Sequence, residues 1–255
     1  MSSADSAGVP WAGRSFEHNS SADDDGSAPE RLIEALRRFG SRELGEEEVV
    51  DALRESRLLI PLVAVLGDTG RNEHGVLIDK SQELSIVTVA GPDGRTVMPV
   101  FTSVQAMSAW NPKARPVPAN AVRVALAAAS ESTDLVVLDP TSPTEFVIRR
   151  PALWAIAQGL TWIPSYSDAE ILDAFIASAE PETAVVAVQL SPGDPHARLN
   201  GPELLVHLTL VNGLDRTSLD GLLARLQHRW GASAIIAERV DSMRVQLAGT
   251  DSTPG

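Results

Sequence analysis

Residues 83–110 read ELSIVTVAGPDGRTVMPVFTSVQAMSAW, and this stretch decides how the first half of the chain folds. Apolar and polar side chains alternate ahead of the sequence GPDG at 91–94, which is typical of a strand that ends in a turn. Residues 96–100 then predict the returning strand. Thr102 or Ser103 can cap a helix that carries Trp110. The stretch therefore predicts a hairpin that leads directly into a helix.

The segments on either side of this hairpin alternate between helical and strand patterns. Upstream, helices are predicted from Pro29 and from Glu46, followed by a buried strand at 58–66 and a polar loop at 67–75. Pro61 lies within that strand, which indicates an edge position or a bulge. Downstream, the sequence predicts a proline-rich crossover, a short buried helix, two strands and a last helix: residues 111–118, 119–130, 135–138, 145–148 and 151–159.

A second unit follows a connector at 160–166. Its capping-box sequence, Ser167-x-x-Glu170, precedes an apolar helix face. The predicted order is helix, strand, strand, helix, strand, strand, and the last two strands are placed at 233–237 and 243–247. This order is typical of a small α+β sandwich with two helices over one sheet face.

The predicted fold class is therefore α+β, with two small mixed or antiparallel sheet domains and packed helices. Residues 1–28 are rich in Ser, Ala, Gly and Asp, and are predicted to form a disordered acidic tail because they can bury little apolar surface. The first domain is placed at 29–159 and the second, the sandwich, at 167–248.

Composition excludes several classes of function. The 255 residues include no cysteine, so disulfides, thiolate metal sites and a cysteine nucleophile are ruled out. The formal net charge of −13 opposes binding to nucleic acid and to anionic lipid. The sequence contains no apolar run long enough to span a membrane, and its first residues do not resemble a secretory signal. We expect a cytoplasmic protein with no nucleic-acid or membrane partner.

Motifs that carry chemistry are missing. Neither a nucleophile elbow, a glycine-rich phosphate loop nor a paired-histidine metal motif occurs in the sequence. We expect no catalytic residue, no metal and no cofactor. An alternative is a hydrolase-type site assembled from Asp194, His196 and His207, which requires these side chains to converge in the fold. For His207, a solvated or paired side chain is the simpler interpretation, because it lies on the more polar face of its strand.

The order of features resembles the SseB family, named for enhanced serine sensitivity. The resemblance rests on RLLIPLV at 57–63, the hairpin, the PVFTS junction at 99–103 with Trp110 beyond it, and DLVVLDPTSPTEFVI at 134–148. It covers residues 29–159, and PVFTS is its most specific part. The resemblance implies a fold and a family label. It implies no catalytic residue, because the family has no established catalytic mechanism.

Three functional hypotheses remain open at this point. The first is a protein-binding or regulatory module with a partner surface around Phe101, Thr102, Ser103 and Trp110, to which Trp162 of the connector is added as a domain wedge or binding residue. The second is the hydrolase alternative. The third is a structural protein that associates with itself.

Overall fold

The computed structural model describes residues 24–65 and 83–250. Most of the predicted disordered tail and the whole polar loop expected at 67–75 lie outside these residues. The described residues form eight helices and ten strands. The helices are α1 (Glu30–Gly40), α2 (Glu46–Arg54), α3 (Val104–Trp110), α4 (Ala121–Ser130), α5 (Arg150–Gln158), α6 (Ala169–Ala179), α7 (Arg216–Ala232) and α8 (Ala234–Arg239). The strands are β1 (Arg57–Val65), β2 (Glu83–Ile86), β3 (Val89–Ala90), β4 (Thr96–Val100), β5 (Arg115–Asn120), β6 (Val136–Leu138), β7 (Phe146–Ile148), β8 (Val185–Pro192), β9 (Leu204–Leu210) and β10 (Met243–Gly249).

The strands form three small sheets, which confirms the α+β class. Their orders are β2-β1-β5, β3-β4-β6-β7 and β10-β9-β8. The predicted hairpin is only half right. Strand β3 pairs with β4 across the GPDG turn, but β2 leaves the hairpin and pairs antiparallel with β1.

Strand β1 is central in its sheet, so the edge position suggested by Pro61 is wrong. The predicted crossover at 111–118 is also wrong, because β5 forms there and pairs along β1. Pro116 and Pro118 fit because β5 is an edge strand and alternate residues can turn their nitrogens outward. On β1, the amide of Leu59 donates to Phe101, away from β5, and Pro61 has its nitrogen on that same side.

The core of the first unit, α1 to α5 with β1 to β7, lies between the helices and the sheets. Buried side chains of α1, α2, α4 and α5 pack against β1, β4, β6 and β7 in one cluster. Helix α5 ends where Gly159 adopts a left-handed conformation (φ 69°), as its sequence predicts. Trp162 of the connector is buried in this same cluster, which ties the connector to the first unit.

The second unit, α6 to α8 with β8 to β10, has its own core. The inward face of β9 is fully buried beneath Phe175, Leu226 and Trp230 of the helices. The strand predicted at 233–237 is wrong, because those residues mostly form helix α8. A short apolar run suits a partly buried helix as well as a strand, and here Ile236 is the buried residue of that helix.

The loop between β8 and β9, residues 193–203, packs on the first unit. The amide of Val147 in β7 donates to the carbonyl of Ala197 (2.8 Å). Leu199 is buried with Val97 and Val137 of the first unit. Gly193 and Gly201 let the two ends of the loop approach, since a Cβ at either position would lie 2.4 Å from a backbone oxygen.

Candidate functional site

The PVFTS junction is buried where the sequence suggested a partner surface. The side chain of Phe101 is fully buried against Leu59 and Met107, and its ring lies 5.3 Å from that of Trp110. Thr102 is also buried, while Ser103 and Trp110 are half-buried. Phe101 and Thr102 therefore cannot contact a partner from an exposed surface.

Thr102 joins the ends of two parallel strands through Asp139. The Asp139 carboxylate accepts bonds from the Thr102 amide (2.8 Å) and hydroxyl (2.7 Å) and from the Thr144 hydroxyl (2.9 Å). Burial raises the pKa of Asp139 above its usual value. Asp139 also has a positive φ of 44°. Asp139 precedes Pro140, which predicts a turn residue, and the structure adds that its carboxylate ties β4 to β6.

Ser103 is the N-cap of α3, as the sequence predicts, and its hydroxyl accepts from the amide of Ala106 (3.1 Å). The last three residues of PVFTS therefore each have a structural role. Phe101 packs in the core, Thr102 binds Asp139, and Ser103 caps α3. Its side chains hold the fold together and form no exposed site.

A groove lies along the connector, between α5, the start of α6 and the end of α8. We call it the connector groove, and its volume is about 730 Å³. Its apolar side chains are unusually exposed: Trp154 by 44%, Leu160 by 54% and Ile163 by 47%. Trp162 contributes a buried side chain to its wall. Of the five residues predicted to bind, Trp162 is the one that lines this groove.

The rim of the connector groove is charged. Arg239 donates to both Asp168 (3.1 Å) and Glu170 (2.7 Å), so these two carboxylates share one cation. Arg150 stacks over the Trp154 ring at 5.1 Å, and this contact holds the indole in place. Glu238 forms no ion pair with the residues that the structure describes and is exposed on the rim.

The helix position of Trp154 in the sequence predicts packing in the core, and the structure corrects this prediction. A signal was present, because Trp154 and the fully buried Ile156 lie two residues apart and therefore about 200° apart around the helix. The two residues cannot share one face. A tryptophan opposite the buried face of its helix indicates a surface site.

Residues 30–155 match the family model described as the SseB protein N-terminal domain. The chain carries an SseB N-terminal domain. This confirms the resemblance drawn from PVFTS and its flanking strands. Searches of curated proteins and of solved structures found no match to the chain. The family match ends at the first turns of α5, so most of the connector groove lies beyond it.

The SseB domain meets the second unit through a buried polar junction centred on Arg149. Its guanidinium donates to Asp194 (2.7 Å), to Asp241 (3.1 Å) and to the carbonyl of Gly201 (3.2 Å). Arg95 also binds Asp241, through two bonds of 3.0 and 2.9 Å. The position of Asp241-Ser242 just before the last strand predicts turn residues, but the Asp241 side chain is buried and binds two arginines.

Two more carboxyls lie at this junction. Burial raises the pKa of Glu46 in α2 to about 7, and the hydroxyl of Tyr166 donates to it (3.2 Å). Burial also raises the pKa of Glu203, whose Oε2 accepts from the amide of Asp241 (2.6 Å). The negative charge of Glu203 adds to the rise in the pKa of Glu46, and the charge of Asp241 adds to the rise in the pKa of Glu203. The connector is thus anchored at Tyr166, between the groove residues Ile163 and Ser167.

The hydrolase alternative is not supported by the arrangement of its three residues. Asp194 is buried, and both Arg149 and the amide of Leu199 bind its Oδ2. His207 instead pairs with Ser191 (2.7 Å), as expected for a cross-strand histidine, and His196 is exposed on the loop. Asp194 therefore organises the loop and holds Arg149. In residues 24–65 and 83–250, these three side chains share no hydrogen bond.

The described residues contain neither a metal-binding cluster nor a membrane-spanning helix. Among the described residues, no three His, Asp or Glu side chains are grouped so that they could hold a metal ion. No helix in this part of the chain is both long and apolar enough to cross a membrane.

Proposed function

We propose that this SseB-domain protein is a binding module, and that a peptide segment of a partner protein docks in the connector groove. The observation that carries the proposal is the exposure of Trp154, Leu160 and Ile163 along one groove. Tryptophan is among the residues that contribute most to protein interfaces, because it covers a large area with little loss of conformational entropy.

The charges of the rim select the chemistry of the partner. Asp168, Glu170 and Glu238 line the groove with Arg239 as the lining cation. The C-terminal end of α5 also points here at Gln158, and a helix C-terminus favours a positive charge. The partner segment therefore presents bulky apolar side chains for Trp154, Leu160 and Ile163 and a Lys or Arg for Glu238.

A displayed library of random peptides tests this proposal directly. We expect selection on the full chain to enrich peptides that combine bulky apolar residues with Lys or Arg. Trp154→Ala removes the exposed anchor and should weaken these peptides about 30-fold, which corresponds to about 2 kcal/mol. Glu238→Gln should weaken the basic peptides alone.

The matched control is Leu126→Ala, which removes an exposed apolar side chain from α4, outside the groove. This variant should bind the selected peptides as tightly as the unmodified chain. Peptides that bind equally well to Trp154→Ala, or a selection that enriches none, would show that the groove is not a docking site.

A further inference from the structure

The outer edge of strand β10 is an unprotected sheet edge. β10 pairs in parallel with β9 on one side, and no other strand within the described ranges pairs with its other side. Since no described strand takes up its backbone donors and acceptors on that side, they can pair with an added strand. Most of its side chains are exposed as well.

Few of the features that normally block such an edge are present in β10. Its sequence, MRVQLAG, contains no proline and one charge, Arg244, and its register with β9 runs without a bulge. The opposite edge of the sheet differs, since β8 has a register shift between Val185 and Ala187 and ends in Pro192. Natural edge strands use such bulges and prolines to prevent pairing.

Apolar side chains of β10 face the helices but are not covered by them. Register with β9 places Met243 beside Leu204 and Leu247 beside Leu208, on the face that carries the core. Leu204 and Leu208 are buried, whereas Met243 is 39% exposed and Leu247 is 44% exposed. The helical layer therefore stops short of the sheet edge, and an added strand would cover these residues.

We propose that β10 pairs antiparallel with β10 of a second copy of this chain, around a two-fold axis at Val245. In this register Val245 faces its own copy, Met243 faces Leu247, and Arg244 faces Gln246. Each apolar side chain finds an apolar partner on the helical face, and the two arginines avoid each other on the open face. The strand is self-complementary, and this property favours a second copy over an unrelated partner.

The two three-stranded sheets then become one continuous six-stranded sheet. The net charge of −13 on each copy opposes the association, so we expect the dimer to be stronger at higher salt. The inference concerns the second unit and is independent of the connector groove.

Sedimentation of the full chain over a wide range of concentrations tests the dimer. We expect a monomer–dimer equilibrium, and Leu247→Glu should abolish the dimer because it places a carboxylate in the apolar seam. Val186→Glu is the matched control, since Val186 is exposed on β8 at the far edge of the same sheet. A monomer at every concentration would overturn the proposal, and so would a dimer that survives Leu247→Glu.

The absence of cysteine allows a test of the register. Opposed residues of antiparallel strands have Cα atoms about 4.5–5.5 Å apart, within the range that a disulfide bridges. Val245→Cys should therefore cross-link two copies under mild oxidation, whereas Gln246→Cys should not. Cross-linking of Gln246→Cys in place of Val245→Cys would rule out the axis at Val245.

Discussion

Glu46 offers a quantitative test of the junction between the two units. Its carboxyl is buried against Tyr166, and its pKa in the folded protein rises from 4.5 to about 7. The unfolded chain therefore loses this proton at lower pH than the folded chain. Below the unfolded pKa both states are protonated, and the native environment carries no penalty. As the pH rises through the folded pKa, the folded protein must hold a buried charge and loses stability.

The size of this loss follows from the shift. One pKa unit corresponds to about 1.4 kcal/mol, so the rise to about 7 predicts that Glu46 lowers the free energy of unfolding by about 3 kcal/mol between acidic and mildly alkaline pH. Glu46→Gln keeps an oxygen that accepts from Tyr166 but cannot ionise. We expect the variant to match the unmodified chain near about pH 4, below the unfolded pKa, and to exceed its stability by about 3 kcal/mol near about pH 8.

Urea unfolding at the two pH values, followed by tryptophan fluorescence, measures this difference. Buried carboxyls such as Glu203 also titrate, so the difference between the variants is the decisive quantity. Glu47→Gln is the matched control, because Glu47 is the exposed neighbour in the same helical turn. If Glu46→Gln loses as much stability with rising pH as the unmodified chain does, the reasoning about Glu46 is refuted.

Three further variants test other contacts by urea unfolding. Ser103→Ala removes the cap of α3 and should cost about 1 kcal/mol, and an unchanged midpoint would contradict the role of the hydroxyl. Asp139→Asn replaces an acceptor of three hydrogen bonds with a group that is partly a donor, and should cost about 2 kcal/mol, while Asp134→Asn at an exposed site should cost almost nothing. Arg149→Met leaves the carboxylates of Asp194 and Asp241 buried without this cation and should cost about 3–5 kcal/mol. Arg216→Met, at an exposed ion pair, is its control and should change stability by less than about 1 kcal/mol.

The sequence predicts a structural feature correctly where the residues that determine that feature are close together in the chain. Ser103 caps α3 by accepting a hydrogen bond from the amide of Ala106, only three residues further along the chain. Gly159 ends α5 because its own φ angle is left-handed. The resemblance to the SseB family could also be predicted, because it depends on the order in which strands and turns follow one another in the sequence. In such cases the residues that decide the structure are neighbours in sequence.

Other features depend on residues that are distant in sequence. Asp139 and Asp241 both lie in sequences typical of turns. Their buried carboxylates, however, bind Thr102 and Arg149, which lie in other parts of the chain. The proline-rich segment became strand β5 because β1 was available beside it. The connector groove could not be read from the sequence, since its walls come from α5, the connector, α6 and α8.

The loop at 193–203 has a consequence for the order in which the protein is made. Its residues Ala197 and Leu199 complete the packing of strands that belong to the SseB domain. Translation delivers the SseB domain first, so the Val147 amide of β7 lacks its acceptor, the carbonyl of Ala197, until the loop has been synthesised. We therefore expect the SseB domain to complete its packing only after a segment encoded beyond it has been made.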